Sequence, residues 1–378
     1  MKSKLPNTKT SIFAVMSQMA NKYNAINLSQ GFPDFDVSPK LIELVNKNMK
    51  LGFNQYAPMP GVMKLREVIS EKTQKLYGKY YNPETEITIT SGATQALYTA
   101  ITAIINEGDE VIVFEPVYDS YVPAIELSGG KPIFLELKGK DYKIDWLEVQ
   151  KVITSKTRMI IINSPHNPTG STINENDIKQ LEKIVTGTNI ILLSDEVYEH
   201  IIFDGKKNLS FSGSKELSKR SVIVSSFGKT FHTTGWKTGY CVAPEEIMKE
   251  FRKVHQFVVY AVNTPLQYAL AEYLEDENTY LELSNMYEER RDYFINSIKA
   301  SKFELIPTSG TYFQLLDYSK ISDEKDTVYA EFLTKEYKVA SIPVSAFYHD
   351  KIRSKVLRFC FAKGNETLDR AAEQLLKL

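Results

Sequence analysis

Between residues 86 and 226 the chain alternates short β-rich runs with stretches of helical length. ITIT (87–90) precedes an amphipathic segment at 92–106, and EVIVFEP (110–116) precedes another at 119–128. KPIFLEL (131–137), TRMIIINS (157–164), NIILLSD (189–195) and SVIVSS (221–226) continue the series, with helical segments at 145–154 and 174–186 between them. Apolar runs without polar alternation suit strands covered on both faces, and helix-length connections suit parallel crossovers. The pattern predicts an α/β fold with a mainly parallel sheet. TGYCVAP (238–244) follows its predecessor after too short a gap for a helical crossover, so an antiparallel strand is expected there.

After residue 245 the pattern turns helical, with a long charged, amphipathic stretch at 276–300. TYFQLLDY (311–318), VASIPV (339–344), VLRFCFA (356–362) and a closing helix from 365 make an α+β end. The first 40 or so residues stand outside the alternating series and are expected to pack with that end. The expected division is 1–45 as an arm and part of a small domain, 46–275 as a large domain, and 276–378 as a small C-terminal domain. A length of 378 residues suits two domains, and 43% hydrophobic with 25% charged residues is ordinary globular composition.

Charge narrows the function classes. The 46 basic and 47 acidic side chains nearly cancel to a net charge of -1, which argues against a global grip on nucleic acid or an anionic membrane. No apolar run approaches the ~18–20 residues of a membrane span. Ser17, Gln18 and Asn21 interrupt the N-terminal apolar stretch too early for a signal peptide, so a cytoplasmic protein is expected. Cys241 and Cys360 lie far apart and read as unpaired thiols of a reducing compartment. His166, His200, His232, His255 and His349 form no HxxxH pair, and no metal site is expected.

In open α/β sheets, ligands bind outside the carboxyl ends of the strands. After ITIT comes Ser91-Gly92-Ala93-Thr94, opening a helix whose free N–H groups attract an anion such as phosphate. Taken alone, an ordinary turn with Ser91 or Thr94 as a cap explains that segment better. After TRMIIINS comes Pro165-His166-Asn167-Pro168-Thr169-Gly170, a stiff loop able to aim one amide, with either X-Pro bond open to the cis form. After NIILL comes Ser194-Asp195-Glu196-Val197-Tyr198. A carboxylate at a buried strand end is costly without a cation, which a protonated heterocycle would supply, although Asp195 could equally cap a helix. After SVIV comes Ser225-Ser226-Phe227-Gly228-Lys229-Thr230, then Gly235-Trp236-Lys237. A lysine there can be desolvated into a nucleophile for Schiff-base formation, and Ser226 and Lys237 could touch phosphate. A phosphate, a ring nitrogen, a ring oxygen and an aldehyde together describe pyridoxal 5'-phosphate.

The segments NLSQGFPDF (27–35), NQYAPMPGVMKLRE (54–67), SGATQAL (91–97), EPVYDSY (115–121), NSPHNPTG (163–170), SDEVYEH (194–200), SSFGKTFHTTGWKTGY (225–240), NTPLQ (263–267), SGTYF (309–313) and LRFCFAK (357–363) span nearly the whole chain. In kind and order they resemble the class I/II aminotransferases, fold type I pyridoxal-phosphate enzymes, most of all their methionine and kynurenine or glutamine K transaminase branch. The resemblance implies Lys229 as the Schiff-base lysine and Asp195 as partner of the pyridinium nitrogen. It implies Asn167 and Tyr198 on the ring oxygen, Tyr118 on the ring face, and Gly92, Ala93, Thr94, Ser226 and Lys237 around the phosphate. Tyr56 would reach the phosphate of a neighbouring subunit in a homodimer. Arg358 looks like the α-carboxylate clamp, with Asn167 and Gly31 beside the substrate. Phe13, near a position where relatives place a pocket aromatic, suits an apolar side chain, although Ile12, Phe13, Val15, Met16 and Met19 also read as a plain helical core face.

The implied activity is ping-pong transfer of an amino group from an apolar or aromatic L-amino acid to a 2-oxo acid. Methionine is the first choice, with kynurenine, glutamine, phenylalanine and tyrosine as candidates. No arginine besides Arg358 sits in a segment suggesting a second carboxylate clamp. The nearest rival is a carbon–sulfur β-lyase acting on cysteine conjugates with the same lysine. A regulator that uses such a fold to sense an amino acid would carry a DNA-binding domain before SQGFPDF, and little chain precedes that segment.

Overall fold

A computed structural model describes every residue except Met1, Asn7, Lys351 and Arg353. The strands, in chain order, are β1 (Ile26–Asn27), β2 (Ile87–Thr90), β3 (Glu110–Glu115), β4 (Lys131–Glu136), β5 (Thr157–Asn163), β6 (Ile191–Asp195), β7 (Ser221–Ser226) and β8 (Gly239–Val242). They are followed by β9 (Glu304–Ile306), β10 (Phe313–Asp317), β11 (Val339–Ala340), β12 (Ile342–Pro343) and β13 (Val356–Cys360).

The large sheet has seven strands in the order β2-β8-β7-β6-β5-β3-β4. All neighbours are parallel except β8, which runs antiparallel to both β2 and β7, as the short connection before TGYCVAP requires. Its strands are apolar on both faces for a visible reason. Ile160, Ile162, Ile223 and Val242 belong to one core cluster, while Met159, Ile161, Val222 and Val224 belong to the other. Successive side chains point to opposite faces, so a continuous apolar run feeds two cores at once. Each fully buried aliphatic side chain contributes roughly 1.5–3 kcal/mol.

The crossover helices start where their caps stand. Asp145 accepts from the N–H groups of Leu147 and Glu148 before the helix Trp146–Val152. Asn174 and Asp177 form a reciprocal capping box before Glu175–Val185, and a cap of this kind contributes about 1 kcal/mol.

The C-terminal half holds an antiparallel sheet in the order β12-β13-β10-β9, and β1 pairs in parallel with β11. The N-terminal helix Ile12–Tyr23 packs on the helix Asp326–Glu336, whereas the next helix, Pro39–Lys50, packs on Thr264–Tyr273. VASIPV, expected as one strand, is divided between two sheets, with Ser341 between β11 and β12. The helical stretch expected at 276–300 comprises two helices, Asn278–Leu281 and Leu283–Ser297. Glu282 between them keeps a near-helical backbone (φ -77°, ψ -12°). No helix among the described residues is long and apolar enough to cross a membrane.

Candidate active site

The carboxyl ends of β2, β5, β6 and β7 share one edge of the large sheet. Because β8 runs the other way, its first residue, Gly239, stands opposite both Thr90 and Ser226, which brings the preceding Lys237 to that same edge. A cavity of about 270 Å³ opens there. Phe13, Gly31, Gly92, Ala93, Thr94, Tyr118, Asn167, Asp195, Tyr198, Ser226, Lys229, Lys237 and Arg358 all line it. Tyr56 does not. It is 84% exposed, lies edge-on to Tyr260 at 5.6 Å, and lines a separate surface groove with Trp236. A larger cavity of about 730 Å³ beside Tyr121 and His166 contains neither Lys229 nor Arg358.

One end of the 270 Å³ cavity is built for an anion. Ser91 makes no side-chain cap on the helix Gly92–Ile104, so the N–H groups of its first turn stay free for a ligand. Gly92 has φ +75°, and a Cβ there would lie 3.5 Å from Lys237 Nζ. That is ordinary contact, so it is the left-handed backbone that favours glycine here, with the ammonium beside the helix start. At Gly239 a Cβ would come within 2.7 Å of the Ser225 carbonyl and 3.1 Å of the Ala93 nitrogen, so only glycine lets strand and helix meet this closely.

The middle of the cavity holds a carboxylate without a cation. Asp195 is 3% exposed; its Oδ2 accepts from the Tyr121 hydroxyl at 2.5 Å, and its Oδ1 accepts from the Val197 N–H at 3.3 Å. Burial pushes this carboxyl up to about 6, and the bonds from Tyr121 and Val197 and the nearby Lys229 only partly offset it. A carboxylate left this way favours a ligand that brings positive charge. Asn163 ties the loops together, donating to the Asp195 carbonyl at 2.9 Å and accepting from the Asn167 N–H at 2.8 Å. The Ser164–Pro165 and Asn167–Pro168 bonds are both cis.

Lys229 sits in the single helical turn Phe227–Thr230, capped by Ser226, whose Oγ accepts from the Lys229 N–H at 3.4 Å. Burial lowers its amine to about 8, with Arg358 and Lys237 acting in the same direction against Cys360 and Asp195. The Lys229 Nζ donates to the Gly31 carbonyl at 3.1 Å and to the Tyr312 hydroxyl at 3.0 Å.

Arg358 comes from the middle of β13 and is 1% exposed. Its Nη1 donates to Asn167 Oδ1 at 2.7 Å and its Nη2 to the Ser29 carbonyl at 2.9 Å, while its Nε has no partner. Burial lowers even this guanidinium to about 10. Phe13, which the sequence left between pocket and core, is half-buried at the cavity wall with its ring 5.1 Å from the guanidinium.

Sequence reasoning did not single out Tyr121, Asn163, Tyr312 or Ser29. The first three lie inside EPVYDSY, NSPHNPTG and SGTYF, and Ser29 lies inside NLSQGFPDF. Their segments were visible, but a phenol that supports a carboxylate looks like any core tyrosine until the contact is seen.

A desolvated amine, an incompletely balanced carboxylate, an anion cradle and a buried guanidinium with a free Nε in one cavity define a pyridoxal-phosphate-dependent transaminase. Residues 23–375 match the family described as Aminotransferase class I and II, and the chain belongs to it. The chain is 48% identical over 377 residues to the methionine aminotransferase of Escherichia coli (strain K12), covering 100% of this chain and 98% of that protein. It is 37% identical over 408 residues to the kynurenine–oxoglutarate transaminase of Dictyostelium discoideum, covering 97% and 94%. A crystal structure from Escherichia coli with a methionine aminotransferase function superposes with a TM-score of 0.98 at 47% identity, covering 100% of this chain and 99% of that one.

Members of this family use pyridoxal 5'-phosphate, and the cavity fits it. The free helix start with Lys237 suits the phosphate, the cation-poor Asp195 suits a protonated ring nitrogen, and the desolvated Lys229 suits an aldehyde. Among the described residues no group of three or more His, Cys, Asp or Glu side chains is placed to hold a metal ion.

Proposed function

We propose that this enzyme moves the amino group of an apolar or aromatic L-amino acid, methionine-like first, to a 2-oxo acid by a ping-pong route. The observation that carries this reading is the aromatic wall around the clamp. The Arg358 guanidinium lies 3.8 Å from the ring centre of Phe313, 5.1 Å from that of Phe13 and 5.5 Å from that of Phe347. The remaining cations of the cavity lining are Lys229 and Lys237, and Lys237 stands at the Gly92 end. Phe13 and Phe313 also line the cavity, so an amino acid held through its α-carboxylate on Arg358 meets rings with its side chain. Methionine, kynurenine, glutamine, phenylalanine and tyrosine all suit such a wall, and relatives named for methionine and kynurenine support the choice.

Pyridoxal phosphate, when bound, supplies a reactive aldehyde carbon and an electron-withdrawing ring. Gly92, Ala93, Thr94, Ser226 and Lys237 would hold its phosphate, Asp195 its ring nitrogen, Asn167 and Tyr198 its ring oxygen, Tyr118 one ring face, and Lys229 its aldehyde carbon. Arg358 binds the substrate carboxylate through a planar fork, and Asn167 steadies that fork from behind. Lys229, low enough in pKa to be neutral in part of the population, takes the α-proton and returns it. Burial of Tyr198 and Asp195 keeps water from these polar groups.

The enzyme is read as a cytoplasmic homodimer with shared active sites. Met49, Leu51, Phe53, Tyr56, Phe257, Val258 and Tyr260 are exposed apolar side chains of the kind a second copy covers, and Tyr56 would then reach the partner's phosphate site. A reducing compartment suits the two buried free thiols.

Titration of the purified, cofactor-loaded protein with L-methionine, without an acceptor, tests the reading. The visible band of the cofactor should disappear as about one equivalent of 2-oxo acid forms per site. A band that persists while pyruvate and ammonia accumulate from a cysteine conjugate would overturn it in favour of β-elimination. A marked preference for aspartate would overturn the apolar substrate class.

A further inference from the structure

Tyr312 touches the reacting amine, yet it is not part of the cavity lining. It is fully buried, and its ring stands edge-on to Tyr198 (5.2 Å, 88°) and to Phe313 (4.9 Å, 72°). The backbone fixes it as firmly. Thr311 just before it adopts φ +65° and donates its N–H to the Ile201 carbonyl at 2.9 Å, and the Tyr312 carbonyl accepts from the Phe361 N–H at 3.0 Å. Beside the Tyr198 hydroxyl, with which it also interacts, its own hydroxyl meets two groups of opposite character. It donates to the Gly31 carbonyl at 2.6 Å and accepts from Lys229 Nζ at 3.0 Å, while Nζ also donates to that same carbonyl at 3.1 Å.

This triangle has a chemical consequence. The phenol's one proton is committed to a carbonyl, which has none to give, so Tyr312 can only accept from the amine. A neutral amine has four tetrahedral directions: its carbon, two N–H bonds and a lone pair. The two acceptors stand 2.6 Å apart on one side of Nζ, so they draw its N–H bonds to that side and leave the lone pair for the cavity. We propose that Tyr312 is a positioning residue for transamination, an obligate acceptor that, with the Gly31 carbonyl, aims the Lys229 lone pair at the α-carbon of the bound amino acid. The step served is a proton transfer. The Cα–H bond breaks, an N–H bond forms on Lys229, and the electron pair stays on the substrate side. The inference rests on the transaminase reading above.

The test is Tyr312→Phe, which keeps the ring and its packing and removes only the oxygen. Three measurements are made on loaded wild-type and variant enzyme. The first is the rate of the methionine half-reaction, with and without deuterium at Cα. The second is the pH titration of the cofactor's visible band without substrate. The third is the rate at which cyanate carbamoylates Lys229 against pH, followed by mass spectrometry, in enzyme carrying the amino form of the cofactor, where Lys229 is free. The half-reaction should slow about 10–100-fold with a full or enlarged isotope effect. The carbamoylation profile should move to lower pH, because the ammonium loses an acceptor. The other titratable groups around the amine, Arg358, Lys237, Asp195, Cys360 and Tyr198, are the same in both proteins. The visible-band titration should stay in place, because Lys229 attached to the cofactor no longer has two N–H bonds to share.

A half-reaction within about twofold of wild type, or an unmoved carbamoylation profile, overturns the proposal while leaving the transaminase reading intact. A displaced visible-band titration overturns it too, by showing a general disturbance of the site. Absence of any half-reaction in wild type removes the transaminase reading, and the proposal with it. If Tyr312→Phe does not fold, 3-fluorotyrosine at 312 keeps the hydroxyl but weakens it as an acceptor. It should slow the half-reaction in the same direction by a smaller factor, and an unchanged rate overturns the proposal.

Discussion

Asp195, at the end of β6, and Glu199, four residues on in the following turn, are buried carboxylates that the protein treats in opposite ways. Burial works against ionisation of both. At Glu199 the Lys72 ammonium at 2.8 Å, with His200 and the Tyr77 hydroxyl at 2.9 Å, outweighs burial and holds the carboxyl down to about 2. Lys72 in turn gives a second bond to Tyr240 at 3.0 Å and is held above its ordinary range despite burial. At Asp195 a phenol, a single amide and the more distant Lys229 only partly balance burial, and the carboxyl stays up at about 6. The lysines mirror this: Lys72 is paired, while Lys229 is lowered to about 8. A charge that serves the fold is neutralised within the chain, and a charge that serves a ligand is left for the ligand to complete.

The comparison is broken most severely by exchanging the effects of the two carboxylates. Asp195→Asn should lower the amino-transfer half-reaction about 10²–10³-fold with an unfolding midpoint near that of wild type. Glu199→Gln strands Lys72 in the core and should cost roughly 3–5 kcal/mol of stability, while the folded fraction keeps its rate within about tenfold. Urea unfolding and single-turnover kinetics on both variants decide the matter, and a stable Glu199→Gln enzyme with a collapsed rate would invert the assignment.

Arg358 sharpens the comparison from the cation side, because its Nε is unpartnered and it forms no ion pair among the described residues. Arg358→Lys keeps the charge but loses the fork, so KM for methionine should rise about 10–100-fold with a smaller change in kcat. A KM within twofold would remove Arg358 from the carboxylate site.

The smallest expected effect is a pH limb. Glu199 has a folded pKa below its ordinary 4.5, so its stabilisation is present above pH 4.5 and is lost as pH falls toward about 2. The double variant Lys72→Met, Glu199→Gln should flatten that limb and, since neither charge is stranded, stay within about 2 kcal/mol of wild type at pH 7. Urea midpoints between pH 2 and 7 measure it. Parallel acid limbs in the two proteins would show that other carboxylates dominate.

The sequence by itself determined the large sheet and most of the site. Runs such as TRMIIINS carry apolar residues at every position, which only a strand covered on both faces uses, and the polar residues directly after each run mark the edge where a ligand binds. Asn167, Asp195, Ser226 and Lys229 were readable because strand order places them on that edge. Arg358 was reached through the resemblance, and its place inside VLRFCFA, where a guanidinium is costly without a partner, agrees with that. Only the tertiary structure decided which groups support these. Tyr121, Tyr312 and Ser29 act through contacts with residues 74, 83 and 329 positions away, and no local period or spacing encodes a contact at that separation. The fate of Glu196 and Glu199, neighbours of Asp195 in the same motif, was equally hidden. Whether a buried carboxylate is held within the core or left open depends on what the rest of the fold packs against it, and for Glu199 that is Lys72, brought from a distant helix.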